Sequence, residues 1–224
     1  MLEVILDTET TGLSITEKHR IVEIGCIELE NQIQTNKIFH EYLNPQRAVS
    51  EDAYKIHGYS DNFLSDKKTF SEIAESFLKF IKDKKIIIHN AAFDISFLNY
   101  EFRLIKQKAI NNNIIDTLEI ARRKYPGSQN SLDALCKRFN IDNSKREKHN
   151  ALIDCQLLKE VYINLVDQKE PKLNLVNAEI LDVNFKDNLI KKNNNSRKIV
   201  KPSSVELELH RNYLKYHLQK NFYN

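Results

Sequence analysis

Two carboxylates, Asp7 and Glu9, close the apolar run Leu2-Glu3-Val4-Ile5-Leu6 near the amino terminus, in the stretch "LDTETTG". The run predicts a buried β-strand, and residues two apart on a strand share a face. Side by side there, the two anions repel, and each favours a proton unless a cation compensates. Two further acids stand in apolar surroundings. Asp94 is embedded in "HNAAFDISFL", where a strand gives way to a helix. Asp154 falls on or beside the stripe Ala151, Cys155, Leu158 and Tyr162 of another helix. A buried carboxylate without a partner is costly, so each of these needs one.

Taken singly, each acid has an ordinary explanation. Asp7 and Glu9 read as a polar strand end, Asp94 as a first-turn acid favoured by the helix dipole, and Asp154 as half of a structural ion pair. The four together, with few lysines or arginines beside them in sequence, fit hard divalent cations bound through oxygen. Two such ions about 3.5–4 Å apart clamp the attacking and leaving oxygens of an in-line phosphoryl displacement. His149 follows the polar stretch Ser144-Lys145-Arg146-Glu147-Lys148. On its own it reads as a surface histidine. Beside an acid cluster it suits a general base that takes a proton from water.

Positioning these groups requires a mixed sheet. Leu2 to Glu9, Arg20 to Glu30 and Lys37 to Asn44 predict three strands with short connections, an antiparallel meander. Short helical pieces around Ser50 to His57 precede an amphipathic helix over Thr69 to Ile81, where Phe70, Ile73, Ala74, Phe77, Leu78 and Ile81 keep helical spacing. Lys85 to His89 and Asn113 to Asp116 predict two more strands. Helices are expected over Phe93 to Ile105, Thr117 to Lys124, Ser131 to Phe139 and Asn150 to Val166. The pattern implies an α/β fold: a mixed five-stranded sheet, three antiparallel strands then parallel additions, flanked by helices. After Val166 the periodicity weakens. Residues 168–198 read as a solvated linker, and Ser204 to Gln219 regains helical character through Val205, Leu207, Leu209, Tyr213, Leu214 and Leu218.

Composition fits a soluble globular chain: among 224 residues, 41% are hydrophobic and 29% charged, which argues against a fibrous or wholly disordered protein. The net charge of +3 is carried by the tail, while the front part is near neutral; by itself it does not argue for nucleic-acid binding. No apolar run reaches membrane-spanning length. The start lacks the basic region and cleavage site of a signal peptide, so a cytoplasmic location is expected. Cys26, Cys136 and Cys155 are widely spaced and form no CxxC, which predicts buried thiols and neither a disulfide framework nor a zinc site.

"DTETTG", "HNAAFDISFL" and "HNALID" resemble, in order, the three exonuclease motifs of the DEDDh (DnaQ-like) 3′→5′ exonucleases. The likeness extends through "YKIHG" and "NSLDALCKRFNIDNSKREKHNALIDCQLLKEVY", where it is most similar to the epsilon-type proofreading subunits of bacterial DNA polymerase III. It covers roughly the first three quarters of the chain. The resemblance implies a ribonuclease H-like fold and an exonuclease domain over 1–167. Asp7 would bridge two Mg²⁺ or Mn²⁺ ions, Glu9 and Asp154 would complete the site of the ion that activates water, and Asp94 would serve the second. His149 would be the base, and a nucleoside monophosphate the product. Thr10, Gly12, His57, Asn90 and Phe93 match positions lining the terminal-nucleotide pocket, beside Asp7, Glu9 and Asp154. His57 and His89 are also compatible with purely structural roles.

The implied substrate is a single-stranded or frayed DNA 3′ terminus. An exoribonuclease trimming RNA and a non-catalytic polymerase scaffold are the competing readings. "RKIVKPSSVELELHRNYL" resembles the segment by which such subunits bind the polymerase alpha subunit, which assigns 199–224 to docking. "QKEPKL", beginning at Gln168, lacks the aromatic ending of a clamp-binding peptide, so no sliding-clamp contact is assigned. Whether a small stabilising subunit binds is left open.

Overall fold

The structure, a computed structural model, describes residues 2–144, 146, 148–166 and 202–217. The linker expected over 168–198 lies outside the described residues, as do 199–201 and 218–224 of the docking segment. Strands β1 (Leu2–Thr10), β2 (Ile21–Glu30) and β3 (Ile33–Tyr42) form the antiparallel meander. Strands β4 (Lys85–Ile88) and β5 (Ile114–Asp116) continue parallel on the other side of β1, giving the order β3-β2-β1-β4-β5. The mixed five-stranded sheet expected from the sequence is therefore present.

One boundary is corrected. β3 begins at Ile33, ahead of the expected Lys37, because Asn31 and Gln32 both take positive φ (50° and 66°) and make a two-residue hairpin turn. No glycine marks that turn, and the exposed Ile33 after it is followed by the polar Gln34, Thr35 and Asn36, so the sequence pattern concealed it.

The helices are α1 (Glu51–His57), α2 (Asp61–Leu64), α3 (Phe70–Ile81), α4 (Ala91–Leu104), α5 (Thr117–Lys124), α6 (Leu132–Phe139) and α7 (Ala151–Leu165). A short 3₁₀ turn, Ile15–Glu17, was not anticipated. Thr69 and Glu72 close a capping box that starts α3 where the apolar period begins. On one face of the sheet Val4, Leu6, Ile24, Cys26, Ile86 and Ile88 join the apolar stripes of α3 and α4. On the other, Ile5, Ile27, Leu29 and Ile87 pack against Cys155, Leu158 and Tyr162 of α7. β1 is thus buried on both faces, and its carboxyl end is reached from both helical layers.

The three cysteines are buried free thiols, as expected. Among the described residues no helix is long and apolar enough to cross a membrane. Helix α8 (Ser204–His217) belongs to a second unit, Asn174–Asn224, and exposes Val205, Leu209 and Tyr213.

Gly25 lets α7 seat directly on β2. A Cβ there would lie 2.6 Å from the Ala151 carbonyl carbon and 2.7 Å from the Leu152 nitrogen, both backbone atoms that cannot swing aside. Gly25→Ala must lift the first turn of α7, and Asp154 with it. The expected cost is about 1–3 kcal/mol, the range for overpacking, read as a lowered melting temperature. An unchanged melting temperature would show that α7 is not fixed at this point.

Candidate active site

Asp7 and Glu9 lie on the face of β1 that α7 covers. Glu9 stands opposite Glu23 in the ladder, just before the register shifts at Thr10. The first turn of α7 carries Asp154, and the first turn of α4 carries Asp94; both are only 3% exposed. Thr8 points to the opposite face from its neighbours and donates its hydroxyl hydrogen to Asp94 Oδ1 at 2.7 Å. The start of α4 is held by β5: the Asn90 and Ala91 N–H groups donate to the Asp116 carboxylate at 3.1 and 3.0 Å. Asn90 itself takes the left-handed conformation, φ 67°.

Opposite them stands His149, on the loop entering α7. Its Nδ1 is 4.0 Å from Glu9 Oε1 and 3.6 Å from Asp154 Oδ2, and the ring is half-exposed. Ligand atoms of Glu9, His149 and Asp154 all lie within 4.8 Å of one another. The loop is fixed from both sides. The His149 N–H donates to the Ile56 carbonyl at 3.2 Å. Asn150 caps α7 by accepting from the Ile153 N–H at 3.0 Å, while its amide donates to Glu23 Oε1 at 2.8 Å. Glu23 is fully buried and also takes the Tyr59 hydroxyl at 2.8 Å, the Ala151 N–H at 3.0 Å and His40 Nε2 at 2.7 Å.

The acids pay electrostatically for this arrangement. Burial first, then Asp94 and Glu9, pushes the Asp7 carboxyl far above its usual range. Burial and the Asp154 and Glu23 charges raise Glu9 to about 8, and burial raises Asp94 to about 7. Asp154 is also raised, because desolvation outweighs the contacts of Arg146. Burial and the Arg146 charge hold His149 below the ordinary imidazole value. Asp154 Oδ1 is buried without a hydrogen-bond partner. Crowded, buried carboxylates and a nearby imidazole are the set a hard divalent cation would satisfy.

Two cavities meet here. A cleft of about 730 Å³ is lined by Asp7, Glu9, Asn90, Asp94, His149 and Asp154. A pocket of about 370 Å³ is lined by Thr10, Gly12, Leu13, Ile56 and His57. Thr8, Glu9 and Phe93 border both. The residues read from the sequence as the terminal-nucleotide pocket are therefore gathered, Asn90 on the cleft side and Thr10, Gly12 and His57 on the pocket side. Gly12 is dictated by His19, whose ring would lie 2.3 Å from an added Cβ. His57 Nδ1 accepts from the Tyr59 N–H at 3.0 Å, and burial lowers its pKa. His89 is tied to Thr117 Oγ1 at 2.9 Å, a structural contact at the cleft wall.

Two participants were not read from the sequence. Glu23 looked like one more strand residue in "RIVEIG", although a charge between apolar neighbours was a visible sign. In sequence Arg146 is one residue of the polar stretch before His149; in the folded chain it ion-pairs with Asp154. The ordinary ion-pair reading of Asp154 is thus realised alongside the cluster, with a partner eight residues away.

The exonuclease family model matches residues 4–162, a span that contains all five groups. This chain belongs to the exonuclease family. It is 48% identical over 217 residues to the DNA polymerase III subunit epsilon of Rickettsia felis, covering 95% of each chain. The Escherichia coli epsilon subunit is 48% identical over 169 residues, 72% of this chain and 70% of that protein. Among solved structures, Exonuclease X in complex with 5′ overhanging duplex DNA superimposes with a TM-score of 0.59 at 25% identity, covering 74% of this chain and 92% of that one. The nuclease domain of 3′hExo, a DEDDh member, superimposes with a TM-score of 0.66 at 18% identity, covering 75% and 92%; that likeness shows the shared fold.

A carboxyl whose folded pKa is raised binds its proton more tightly folded than unfolded. Glu9 and Asp94 therefore withdraw stability as pH climbs from about 4 to about 8, and the loss is complete above that window. Glu9→Gln should raise the melting temperature of the EDTA-treated protein at pH 8 and leave it nearly unchanged at pH 5. Equal effects at the two pH values would contradict the charge crowding.

Proposed function

We propose that Asp7, Glu9, Asp94 and Asp154 hold two divalent cations, Mg²⁺ or Mn²⁺, and that His149 is the general base of a 3′→5′ proofreading exonuclease. The observation that carries this reading is the convergence of these five side chains on one cleft, within the span matched to the exonuclease family. When bound, the cations supply Lewis-acid stabilisation to the attacking and leaving oxygens.

The chain's own residues do the rest. A water oxygen attacks the terminal phosphorus, and the bond from phosphorus to the 3′ oxygen of the preceding nucleotide breaks. A nucleoside 5′-monophosphate leaves, and the 3′ oxygen of the shortened strand takes a proton from solvent to become a hydroxyl. His149 takes the water's proton; burial, the largest cause, holds its pKa below the ordinary imidazole value, which favours the neutral ring. Thr8 holds Asp94 in place, and the Asn150–Glu23 contact fixes the start of α7 and so Asp154.

The scissile phosphate belongs where the two cavities join, beside Glu9 and Phe93. The smaller pocket then receives one terminal nucleotide, with Phe93 and Ile56 as apolar surface for sugar or base.

Residues 1–167 form the exonuclease domain in this reading, 168–198 the linker and 199–224 the docking segment for the polymerase alpha subunit. The match to the Rickettsia felis relative spans 95% of the chain, so it runs into the tail. The exposed apolar side chains of α8 suit a helix that buries them in a partner.

Asp7→Ala is expected to abolish nucleotide release from a 3′-mismatched primer while leaving the fold intact. His149→Ala should lower kcat by about 10²- to 10⁴-fold. Faster digestion of RNA than of matched DNA would make this an exoribonuclease, and no digestion with either metal would make it a scaffold. A second expectation concerns the tail. Leu209→Lys with Val205→Lys should abolish co-purification with the polymerase subunit and leave single-strand digestion unchanged; retained co-purification would move the docking site elsewhere.

A further inference from the structure

Arg146 makes a set of contacts that the proposed chemistry does not use. Its side chain is 8% exposed, and Nη2 donates to Asp154 Oδ2 at 2.7 Å. The same nitrogen is 2.9 Å from Nδ1 of His149. Nε lies 2.5 Å from Asp154 Oδ1, yet off the line of a hydrogen bond, so both of those atoms count as unpartnered. Nη1 donates to Asp133 Oδ1 at 2.7 Å, at the wall of the cleft. One guanidinium thus covers both oxygens of Asp154 and the ring nitrogen of His149 that faces the acids.

The charge it brings is what the cluster lacks. Desolvation and mutual repulsion raise Glu9, and Arg146 is the group that pulls it back down. A divalent cation would relieve the same repulsion through the same two oxygens. Both would draw on the same two oxygens of Asp154, and two positive groups a few ångströms apart in a half-buried site oppose one another.

We propose that Arg146 is an internal competitor for the divalent cation, covering Asp154 and His149 in the metal-free protein and withdrawing from both when the ion binds. Asp133, more than half exposed at the start of α6, keeps hold of Nη1 and gives the withdrawn side chain a partner. Metal loading then frees the general base in the same event, so the base is uncovered only when the ion that needs it is present. The side chain is accordingly a positioning residue that lowers metal affinity while stabilising the empty site. This inference rests on the reading of Asp154 as a ligand and His149 as the base.

The test is Mn²⁺ binding to the full-length protein, measured by calorimetry, with melting temperatures in EDTA. Arg146→Gln should bind Mn²⁺ about tenfold more tightly, the worth of one charge-assisted hydrogen bond, and should melt at a lower temperature without metal. Arg146→Lys keeps the charge but loses the planar fork, and it should also bind more tightly than the parent. Unchanged or weaker Mn²⁺ binding in Arg146→Gln overturns the proposal. So does tighter binding in Arg146→Gln with parental affinity in Arg146→Lys, which would mean that only long-range charge matters. Should Arg146→Gln fail to fold, Arg146→Lys decides alone. Asp154→Asn separates the two levels: if it binds Mn²⁺ as the parent does, the ligand assignment itself fails, whereas weakened binding there leaves the competition judged by the Arg146 variants.

Discussion

Mutual repulsion among four carboxylates at the end of β1 is the constraint around which the rest of the domain is arranged. Asp7 and Glu9 come from the strand, Asp94 from the layer on one face of the sheet and Asp154 from the layer on the other. Each is taken partly or wholly from water, and none is placed where a lysine is near in sequence. The fold softens this with neutral or dipolar groups. Asp94 and Asp154 sit in the first turns of their helices, where the unpaired N–H groups carry partial positive charge. The Thr8 hydroxyl donates to Asp94. These measures reduce the repulsion without removing it, and burial first, with repulsion added at Asp7 and Glu9, keeps the acids above their ordinary pKa values. Positive charge brought to such a site relieves the repulsion that remains.

Holding such a site together needs rigidity around it, and the sheet supplies that. β1 is central and apolar on both faces, so its end cannot drift without breaking two hydrophobic layers. Glu23, a second buried acid, acts as a hub. Its two oxygens gather Asn150, Ala151, Tyr59 and His40, so the start of α7 is anchored to β2, β3 and the segment after α1. The loop entering α7 is different: His149 precedes the anchored Asn150 and is half-exposed. An imidazole carried at the edge of a rigid element can exchange protons with solvent while its backbone stays in register.

Much of this was legible in the sequence. The strand ending in "DTETTG" declared a pair of like charges on one face, and the apolar surroundings of Asp94 and Asp154 declared that both would be buried. Periodicity located α3, α5 and α6 closely, because their apolar stripes begin at capping residues, Thr69, Asp116 and Ser131. It failed at β3, where a positive-φ turn is built from Asn31 and Gln32 and the exposed Ile33 is followed by the polar Gln34, Thr35 and Asn36. Nor could spacing separate the cleft residue Asn90 from the pocket residues Thr10, Gly12 and His57, since that division depends on which face of β1 each neighbour meets.

By itself the sequence determined which chemistry was available: oxygen ligands, an imidazole, a mixed sheet to carry them and a tail with its own helix. These follow from residue type and from periods of two and 3.6, which are local properties of the chain. Tertiary structure alone decided how the charges are balanced. Glu23 and Arg146 acquire their roles from partners far away in sequence or across a loop, Asn150 at one and Asp133, His149 and Asp154 at the other. Electrostatic energy depends on distance and burial, and neither is written in the order of residues.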